Sequence, residues 1–419
     1  MVIRDWSSDV CSSDLGEHQG ESVLFRDLKP GDAIEIKYRL WSGNSGDLWN
    51  EFWDSYLIGA SFFQRHWEYS VITNRKDVSF AAVPPCPDKK ESKHFGFRKT
   101  TWEGDHTMPV DLDPVGLPPA EDILGKVFAS TLENWGELDR WYFSISEAIL
   151  DEYPRAAQVA RSLVAPEDPP VEKLRKLYES IVLDIPYQTI FFDYHASIPH
   201  TPDEVLANRW GDCKDKSHLL IGMLREVGVP AWPVLVMTRD NGTQLPIPYF
   251  GFDHLIVGTI IDGDTLYVDP SSTPYAPEHS LGDWISGQPC LNVGGSGKTQ
   301  LQRLPPPGGD DTYHNRSLVL TAREDGRYDF AMSREWNNLS AGAVREDYRD
   351  VTVQQARKDK EAYFSDKWGV SLTIDSIEFD PVRSVTPTYH DRWTGTMALT
   401  SQSLGKSVVV NLPRLSRFE

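Results

Sequence analysis

The feature that most constrains the fold is an amphipathic helix followed at once by strands. Residues 215–227 carry apolar side chains at helical spacing, and Gly228 and Pro230 end the helix. Strands are predicted for three segments that follow, 231–238, 254–261 and 265–269. The last two flank Asp262-Gly263-Asp264, a strong hairpin signal. This order predicts an α+β core in which the helix packs on an antiparallel sheet.

The regions on either side of this core have a strand-like pattern. Residues 33–41 alternate apolar and polar side chains after a Lys-Pro-Gly-Asp turn, which predicts a half-buried strand and an antiparallel sandwich. After residue 312 we expect strands around one helix, 353–367. Proline-rich linkers are predicted at 166–170 and 304–309. The expected domains are a β-sandwich-like domain at 16–154, the core at 165–305 and a β-rich domain at 313–419.

Cys213 is the residue of the core with the strongest chemical potential. It follows Gly211 and stands at the start of the predicted helix, where the helix dipole and free N–H groups favour a thiolate and can receive an oxyanion. Asp212 would oppose a second negative charge, or else serve as the helix N-cap. Position alone favours a packed, unreactive cysteine.

Two downstream residues change that interpretation. His254 begins the second predicted strand and Asp269 ends the third, so the hairpin would bring their side chains together. A cysteine on a helix against that sheet would complete a set of nucleophile, base and orienting carboxylate.

Four motifs together resemble the transglutaminase-like superfamily, and more closely its bacterial multidomain type, in which a β-rich domain of unknown function precedes the core. They are Arg-Trp-Gly-Asp-Cys-Lys-Asp-Lys at 209–216, Gly-Val-Pro-Ala at 228–231, Phe-Asp-His at 252–254 and Tyr-Val-Asp-Pro at 267–270. The resemblance implies a papain-like core between two β-rich domains, with Cys213, His254 and Asp269 as the catalytic triad. Asp253 departs from the asparagine usual before the histidine, and its carboxylate could raise the pKa of the imidazole.

Other residues near the core have open roles. Trp210 either walls the acyl site or packs under the helix, and packing is favoured. Tyr187 could donate a hydrogen bond toward the oxyanion. His195, His200 and His218 lack ligand spacing and are expected in loops or on the surface.

The first 15 residues are expected to be foreign to the fold. Residues 6–15 back-translate to the sequence of a short-read sequencing adapter, so we interpret 1–15 as a cloning or assembly scar. The natural chain would then begin upstream, and its compartment cannot be read from this start. The resemblance alone favours a periplasmic or extracytoplasmic location.

Composition excludes several classes of function. The net charge of −20 argues against binding to nucleic acid, because phosphate binding needs a stripe of basic residues and the sequence contains none. No run of about 18 apolar residues is present, so no membrane span is expected. No metal-ligand spacing occurs among the cysteines and histidines, and a Cys86–Cys290 disulfide stays open. The Gly-Gly-Ser-Gly-Lys-Thr at 294–299 lacks the first glycine of a phosphate loop, since residue 292 is asparagine, and is interpreted as a glycine-rich hairpin turn.

These observations predict a cofactor-free thiol acyl-transfer enzyme that acts on protein or peptide amides. Hydrolysis by a cysteine protease or amidase is favoured because no amine-binding feature is visible. The alternatives are a protein-glutamine cross-linking transglutaminase and a non-catalytic assembly or binding protein with the same fold. The sequence does not indicate an oligomeric state.

Overall fold

The computed structural model describes residues 29–37, 48–110, 118–189, 198–271, 275–306 and 312–399, and the backbone of 401–404 and 407–410. It confirms the predicted α+β class, with a helix-on-sheet core and β-rich regions on either side. The proposed scar at 1–15 lies outside the described residues. No helix within the described residues is both long and apolar enough to cross a membrane.

Two three-stranded antiparallel sheets form the N-terminal part. The first has the order β1-β6-β3, with strands β1 (Trp53–Ile58), β3 (Ser79–Val83) and β6 (Gly125–Ser130), and the short helix α1 (Ala120–Ile123) leads into β6. The second has the order β2-β5-β4, with strands β2 (Gln64–Thr73), β4 (Lys90–His94) and β5 (Phe97–Thr107). Trp67 and Trp102 of the second sheet pack with Ile58 and Val127 of the first, so the two sheets share a core.

The strand predicted for 33–41 is not found in its described part. Residues 33–37 form no strand and are exposed, whereas 38–41 lie outside the described residues. Ile34 and Ile36 have no sheet partner within 29–37 or 48–110, so their alternation is not used to cover a core.

The core combines helices with a five-stranded antiparallel sheet of order β11-β10-β7-β8-β9. Its helices are α2 (Trp135–Ile149), α3 (Pro154–Leu163), α4 (Pro170–Asp184), α5 (Pro202–Asn208) and α6 (Cys213–Glu226). Its strands are β7 (Ala231–Val236), β8 (His254–Ile261), β9 (Asp264–Val268), β10 (Pro289–Asn292) and β11 (Gln302–Arg303). The predicted central helix and the three strands after it are therefore confirmed.

Helix α6 is the centre of the core. Its residues 214–224 are all buried, and its apolar side chains share one cluster with residues of α3, α4, β8 and β9. Helix α2 packs on the neighbouring part of the sheet through Leu138 and Tyr142, together with Leu235 and Leu255. Helices α2 and α3 both pack with the core although they lie before residue 165, where the core was predicted to begin. The domain boundaries themselves remain predictions.

The C-terminal part is a four-stranded antiparallel sheet of order β12-β13-β15-β14 with two helices. Its elements are β12 (His314–Ala322), β13 (Tyr328–Asn337), α7 (Asn338–Tyr348), α8 (Val353–Trp368), β14 (Ser371–Phe379) and β15 (Thr388–Ala398), followed by a hairpin of β16 (Ser401–Leu404) and β17 (Ser407–Val410). The sequence predicted only one helix here, at α8. Helix α7 and the inner strand β15 were missed.

The glycine-rich segment 294–299 is the loop between antiparallel β10 and β11, as expected for a hairpin turn. Its amides surround the buried carboxylate of Asp139 on α2: Gly294, Gly295 and Gly297 donate their N–H groups over 2.7, 2.8 and 2.9 Å, and the Thr299 hydroxyl donates over 2.8 Å. Such a ring of amides binds anions, and here the anion is a side chain of the same chain.

Candidate active site

Cys213 is the first residue of α6, and its side chain is partly exposed. The N-cap is Asp212, whose carboxylate accepts from the amides of Lys214 and Asp215 over 3.1 and 3.3 Å, while the Asp215 carboxylate accepts from the Asp212 amide over 3.2 Å. This capping box occupies the neighbouring N–H groups. The Cys213 amide itself has no hydrogen-bond partner among the described residues and stays available.

The backbone of Tyr187 is held beside the nucleophile segment. Tyr187 forms an isolated parallel bridge with Gly211, supported by hydrogen bonds from the Gln188 amide to the Gly211 carbonyl (3.1 Å) and from the Gly211 amide to the Pro186 carbonyl (3.3 Å). Burial and the nearby charge of Cys213 raise the pKa of the Tyr187 phenol. The hydroxyl is therefore protonated at neutral pH and can donate a hydrogen bond.

His254 and Asp269 meet where β8 begins and β9 ends. The register pairs Val257 with Val268, so Asp269 lies just beyond the paired strands and turns toward the start of β8. The His254 Nε2 and the Asp269 Oδ2 are 3.0 Å apart, and both side chains are buried. The hairpin thus brings the two residues together as the sequence predicted.

This contact sets the charge of both groups. Burial by itself would lower the pKa of His254, but the Asp269 carboxylate, with a smaller contribution from Cys213, raises it to about 10. Burial would likewise raise the pKa of Asp269, yet His254 and hydrogen bonds from Ser271 hold it below its usual value. The pair is an imidazolium and a carboxylate at neutral pH.

The thiol of Cys213 reaches the same imidazole. The Cys213 side chain is near enough to His254 to contribute, after Asp269, to the raised pKa of the histidine. Because Nε2 contacts Asp269, Nδ1 is the ring nitrogen that remains for the sulfur. The arrangement brings Cys213, His254 and Asp269 into one line of contacts.

Asp269 is fixed by contacts on its other side. Its Oδ1 accepts from the Ser271 amide over 2.9 Å and from the Ser271 hydroxyl over 2.6 Å, and the Ser280 hydroxyl accepts from its amide over 2.9 Å. The carboxylate cannot rotate away from the imidazole without breaking the two bonds from Ser271, and the bond to Ser280 fixes the backbone that carries it.

Trp284 is a site residue that the sequence reasoning missed. Its indole packs on the His254 ring with centroids 4.6 Å apart and remains 40% exposed, so it covers one face of the imidazole. Trp284 lies in a loop far from the recognised motifs, and no local pattern of the sequence points to it.

The other candidate residues lie around α6. Trp210 packs edge-on against His200 with centroids 5.5 Å apart, and the His200 amide donates to Asp215 over 2.8 Å. His218 was expected in a loop or on the surface, and this was wrong: it is fully buried in α6, where Nδ1 donates to the Lys214 carbonyl over 2.8 Å. Burial lowers the pKa of His218 to about 4, so the ring is neutral. His195 lies outside the described residues.

Asp253 does not act on the imidazole as the sequence suggested. Its carboxylate accepts from the Thr238 amide over 2.7 Å and from the Asn241 side chain over 2.6 Å. The groups that raise the pKa of His254 are Asp269 and Cys213 instead.

The described residues offer no metal site. No group of three or more His, Cys, Asp or Glu side chains among them is arranged to hold an ion. Cys86 and Cys290 are free thiols, so the Cys86–Cys290 disulfide left open above is not formed.

Comparison with known proteins identifies the core. Residues 157–270 match the model of the Transglutaminase-like superfamily, which confirms the resemblance seen in the motifs. No curated protein matches the chain. The family match covers α4 to β9 and includes all three residues of the line of contacts.

Solved structures with a similar arrangement have low sequence identity. A proposed protease from Parabacteroides distasonis ATCC 8503 is 11% identical at a TM-score of 0.48, covering 83% of this chain and 69% of its own. A proposed cysteine protease from Cytophaga hutchinsonii is 12% identical at a TM-score of 0.24, and the match covers 53% of this chain and 78% of that protein. Arylamine N-acetyltransferase from Salmonella typhimurium is 15% identical at a TM-score of 0.23, and the match covers 46% of this chain and 81% of that protein.

Proposed function

Given the transglutaminase-like domain at residues 157–270, we propose that this chain is a thiol acyl-transfer enzyme that hydrolyses amide bonds of proteins or peptides. The observation that carries the proposal is the buried His254–Asp269 contact at 3.0 Å, with the partly exposed Cys213 thiol on the same imidazole. A nucleophile, a base and an orienting carboxylate in contact are what acyl transfer requires.

In the proposed reaction the Cys213 thiolate attacks the substrate carbonyl carbon. The carbonyl electrons move to oxygen, and in this proposal the Cys213 amide and the Tyr187 hydroxyl donate hydrogen bonds to that oxyanion. The His254 imidazolium then gives its proton to the departing amine as the C–N bond breaks. A thioester on Cys213 and a free amine result.

Water completes the cycle. His254, now neutral, takes a proton from water as its oxygen attacks the thioester, and the acid product leaves with the Cys213 thiolate and the imidazolium restored. Asp269 holds the ring in one orientation through both steps. Trp284 shields one face of the ring, and Trp210 supports the loop before the helix by packing on His200.

The test is acylation followed by peptide cleavage. After mixing with 4-nitrophenyl acetate, intact-mass spectrometry should find one acetyl group, and it should be absent from Cys213→Ala. A pool of unstructured peptides should then be cleaved by the parent but not by that variant. Products that carry an added primary amine in place of water would redirect the proposal to cross-linking, and absence of acylation would refute it.

A further inference from the structure

A groove of about 890 Å³ runs between the core and the C-terminal part. Residues 265–267 of β9 line one side, and Ser340 and Ala343 of α7 line the other. Trp284 also lines the groove, and the same indole packs on His254 at 4.6 Å. The groove is therefore continuous with the wall of the proposed active site.

Strand β9 is the edge of the five-stranded sheet, and its outer side faces this groove. The hairpin before it turns at Asp262 (φ 53°) and Gly263 (φ 94°), the two positive values of a type I′ turn. In such a hairpin the flanking residues Ile261 and Asp264 exchange hydrogen bonds with each other. Because bonded and non-bonded pairs alternate along the ladder, the backbone N–H and C=O groups of Thr265 and Tyr267 point outward. Within the described residues, these outward groups have no backbone hydrogen bond to another segment.

The side chains of the groove suit an extended, largely apolar peptide. Most of the large ones are aromatic or aliphatic, namely Leu266, Tyr267, Tyr275, Leu281, Trp284 and Leu339. Of the carboxylates, Glu278 is already paired with Arg175 over 2.9 Å. An open strand edge beside apolar pockets is how proteins capture extended peptides, because backbone bonds hold the peptide and alternate side chains enter the pockets.

We propose that a peptide substrate binds this groove as an added strand on β9. Its backbone pairs with Thr265 and Tyr267, its large apolar side chains pack between β9 and α7, and the strand continues past Trp284 to Cys213. The substrate class is therefore an unfolded or extended polypeptide rich in large apolar residues. This inference rests on the proposed function and specifies how its substrate is selected.

Two substitutions on opposite walls test the groove. Thr265→Pro removes an outward N–H at an exposed position, and Ala343→Trp fills the groove from the exposed side of α7. Matched controls are Ala322→Pro, on the exposed edge strand β12, and Ala362→Trp, on the exposed face of α8. Each variant is measured for cleavage of a pool of unstructured peptides long enough to span the groove, and for acylation by 4-nitrophenyl acetate, which reports the state of Cys213.

The ratio of peptide cleavage to acylation should fall several-fold, up to about tenfold, in Thr265→Pro, since one net backbone hydrogen bond is worth up to about that factor. It should fall at least as far in Ala343→Trp, because the indole would occupy the space of the peptide side chains. Both controls should keep the parent ratio. Equal ratios in all five proteins would overturn the groove proposal, whereas a parent that is acylated but cleaves no peptide of the pool would contradict the proposed hydrolysis itself. A parent that is not acylated at all fails the proposed function instead. If Thr265→Pro does not fold, Ala343→Trp decides alone.

Discussion

The imidazole of His254 has a buried carboxylate at Nε2, and the Cys213 side chain is among the groups that raise the pKa of the ring. An imidazolium beside a thiolate stabilises the nucleophile in its reactive form, which a neutral ring would do less well. The carboxylate is what keeps that proton on the ring, against the effect of burial. At the scale of single residues, reactivity and stability therefore depend on the same contact.

Iodoacetamide at neutral pH should modify Cys213 well before the other described thiols. Burial raises the pKa of Cys290 to about 12, and burial together with Asp88 raises that of Cys86, so both are poor nucleophiles. Peptide mapping by mass spectrometry would give the three rates. Labelling of Cys86 or Cys290 at the rate of Cys213 would contradict an activated thiolate.

Asp269→Asn should lower kcat/KM by roughly four orders of magnitude, because the amide no longer favours a proton on the His254 ring. It should also lower the free energy of unfolding by about 1–3 kcal/mol, since the buried imidazolium loses its partner. The control is Asp253→Asn, the same chemical change one residue before His254, on a carboxylate directed at Thr238 and Asn241. Similar activity loss in both variants would show that the effect is not specific to the proposed triad.

The His254–Asp269 pair should stabilise the fold only within a pH window. The pKa of His254 is raised to about 10, so its contribution is complete below the unfolded value of about 6.5 and disappears as pH rises toward 10. The pKa of Asp269 is lowered, so its contribution is present above about pH 4 and is lost as pH falls through the folded value. The difference in Tm between the parent and Asp269→Asn should be largest between about pH 4 and 6.5. A difference that is constant from pH 4 to 10 would exclude this ion pair as its source.

At the scale of helices and strands, the local sequence was sufficient to predict an element where the apolar pattern and the turn signals agree. The hairpin of β8 and β9 is such a case: its Asp-Gly turn lies between two apolar runs, and the two strands pair as expected. The residues of the site lie on these elements, so their meeting could be predicted. Trp284 could not, because a loop brings it to His254 through contacts distant in sequence.

Strand β15 shows why other elements were missed. Its inward positions alternate correctly but include Asp391, a buried carboxylate, and Gly395. Asp391 accepts from Arg334 on β13 and from the Trp393 indole over 3.0 Å, so it is satisfied only once the sheet has formed. A pattern of apolar residues cannot represent a charge that is paired by tertiary contacts.

The carboxylate of Asp139 links α2 to the 294–299 loop, and Asp139→Asn should weaken that link. Burial would raise its pKa, but hydrogen bonds led by Gly295 and Thr299 hold it below the usual value, so the stabilisation is present above about pH 4 and lost as pH falls further. We expect a loss of about 1–3 kcal/mol in the free energy of unfolding at pH 7. The exposed Asp151→Asn, just after the same helix, should be near neutral in chemical denaturation. Equal effects of the two would contradict a specific role of the loop amides.

At the scale of the whole molecule, the C-terminal part is packed on the core rather than only tethered to it. A Cβ at Gly342 of α7 would overlap the ring of Tyr275. Arg383 pairs with Asp184 at the end of α4 over 2.8 Å, and Val385 belongs to the same apolar cluster as α6. Of these residues, Tyr275 also lines the groove between the two parts.

Gly342→Ala should therefore weaken the packing between the two parts, at a cost on the order of 1–3 kcal/mol from overpacking. In calorimetry the temperature of the first unfolding transition should fall by several degrees. Tyr275→Ala removes the ring that the new methyl group would strike, so the double variant should be no worse than Tyr275→Ala alone. Additive losses would show that Gly342 acts within α7 and not through this contact.

The hydrogen bonds around Asp139 also indicate which segment of the chain would fold as a unit. The loop and the helix they join lie on opposite sides of the matched family segment, one before residue 157 and the other after residue 270. The Asp139 hydrogen bonds thus join two segments that are distant in sequence and close a long loop of chain, as a covalent crosslink would. The segment that we expect to fold when transferred to another protein therefore runs from α2 through β11. A segment limited to residues 157–270 would lack α2 with Asp139, the 294–299 loop, and strand β10, which pairs with β7.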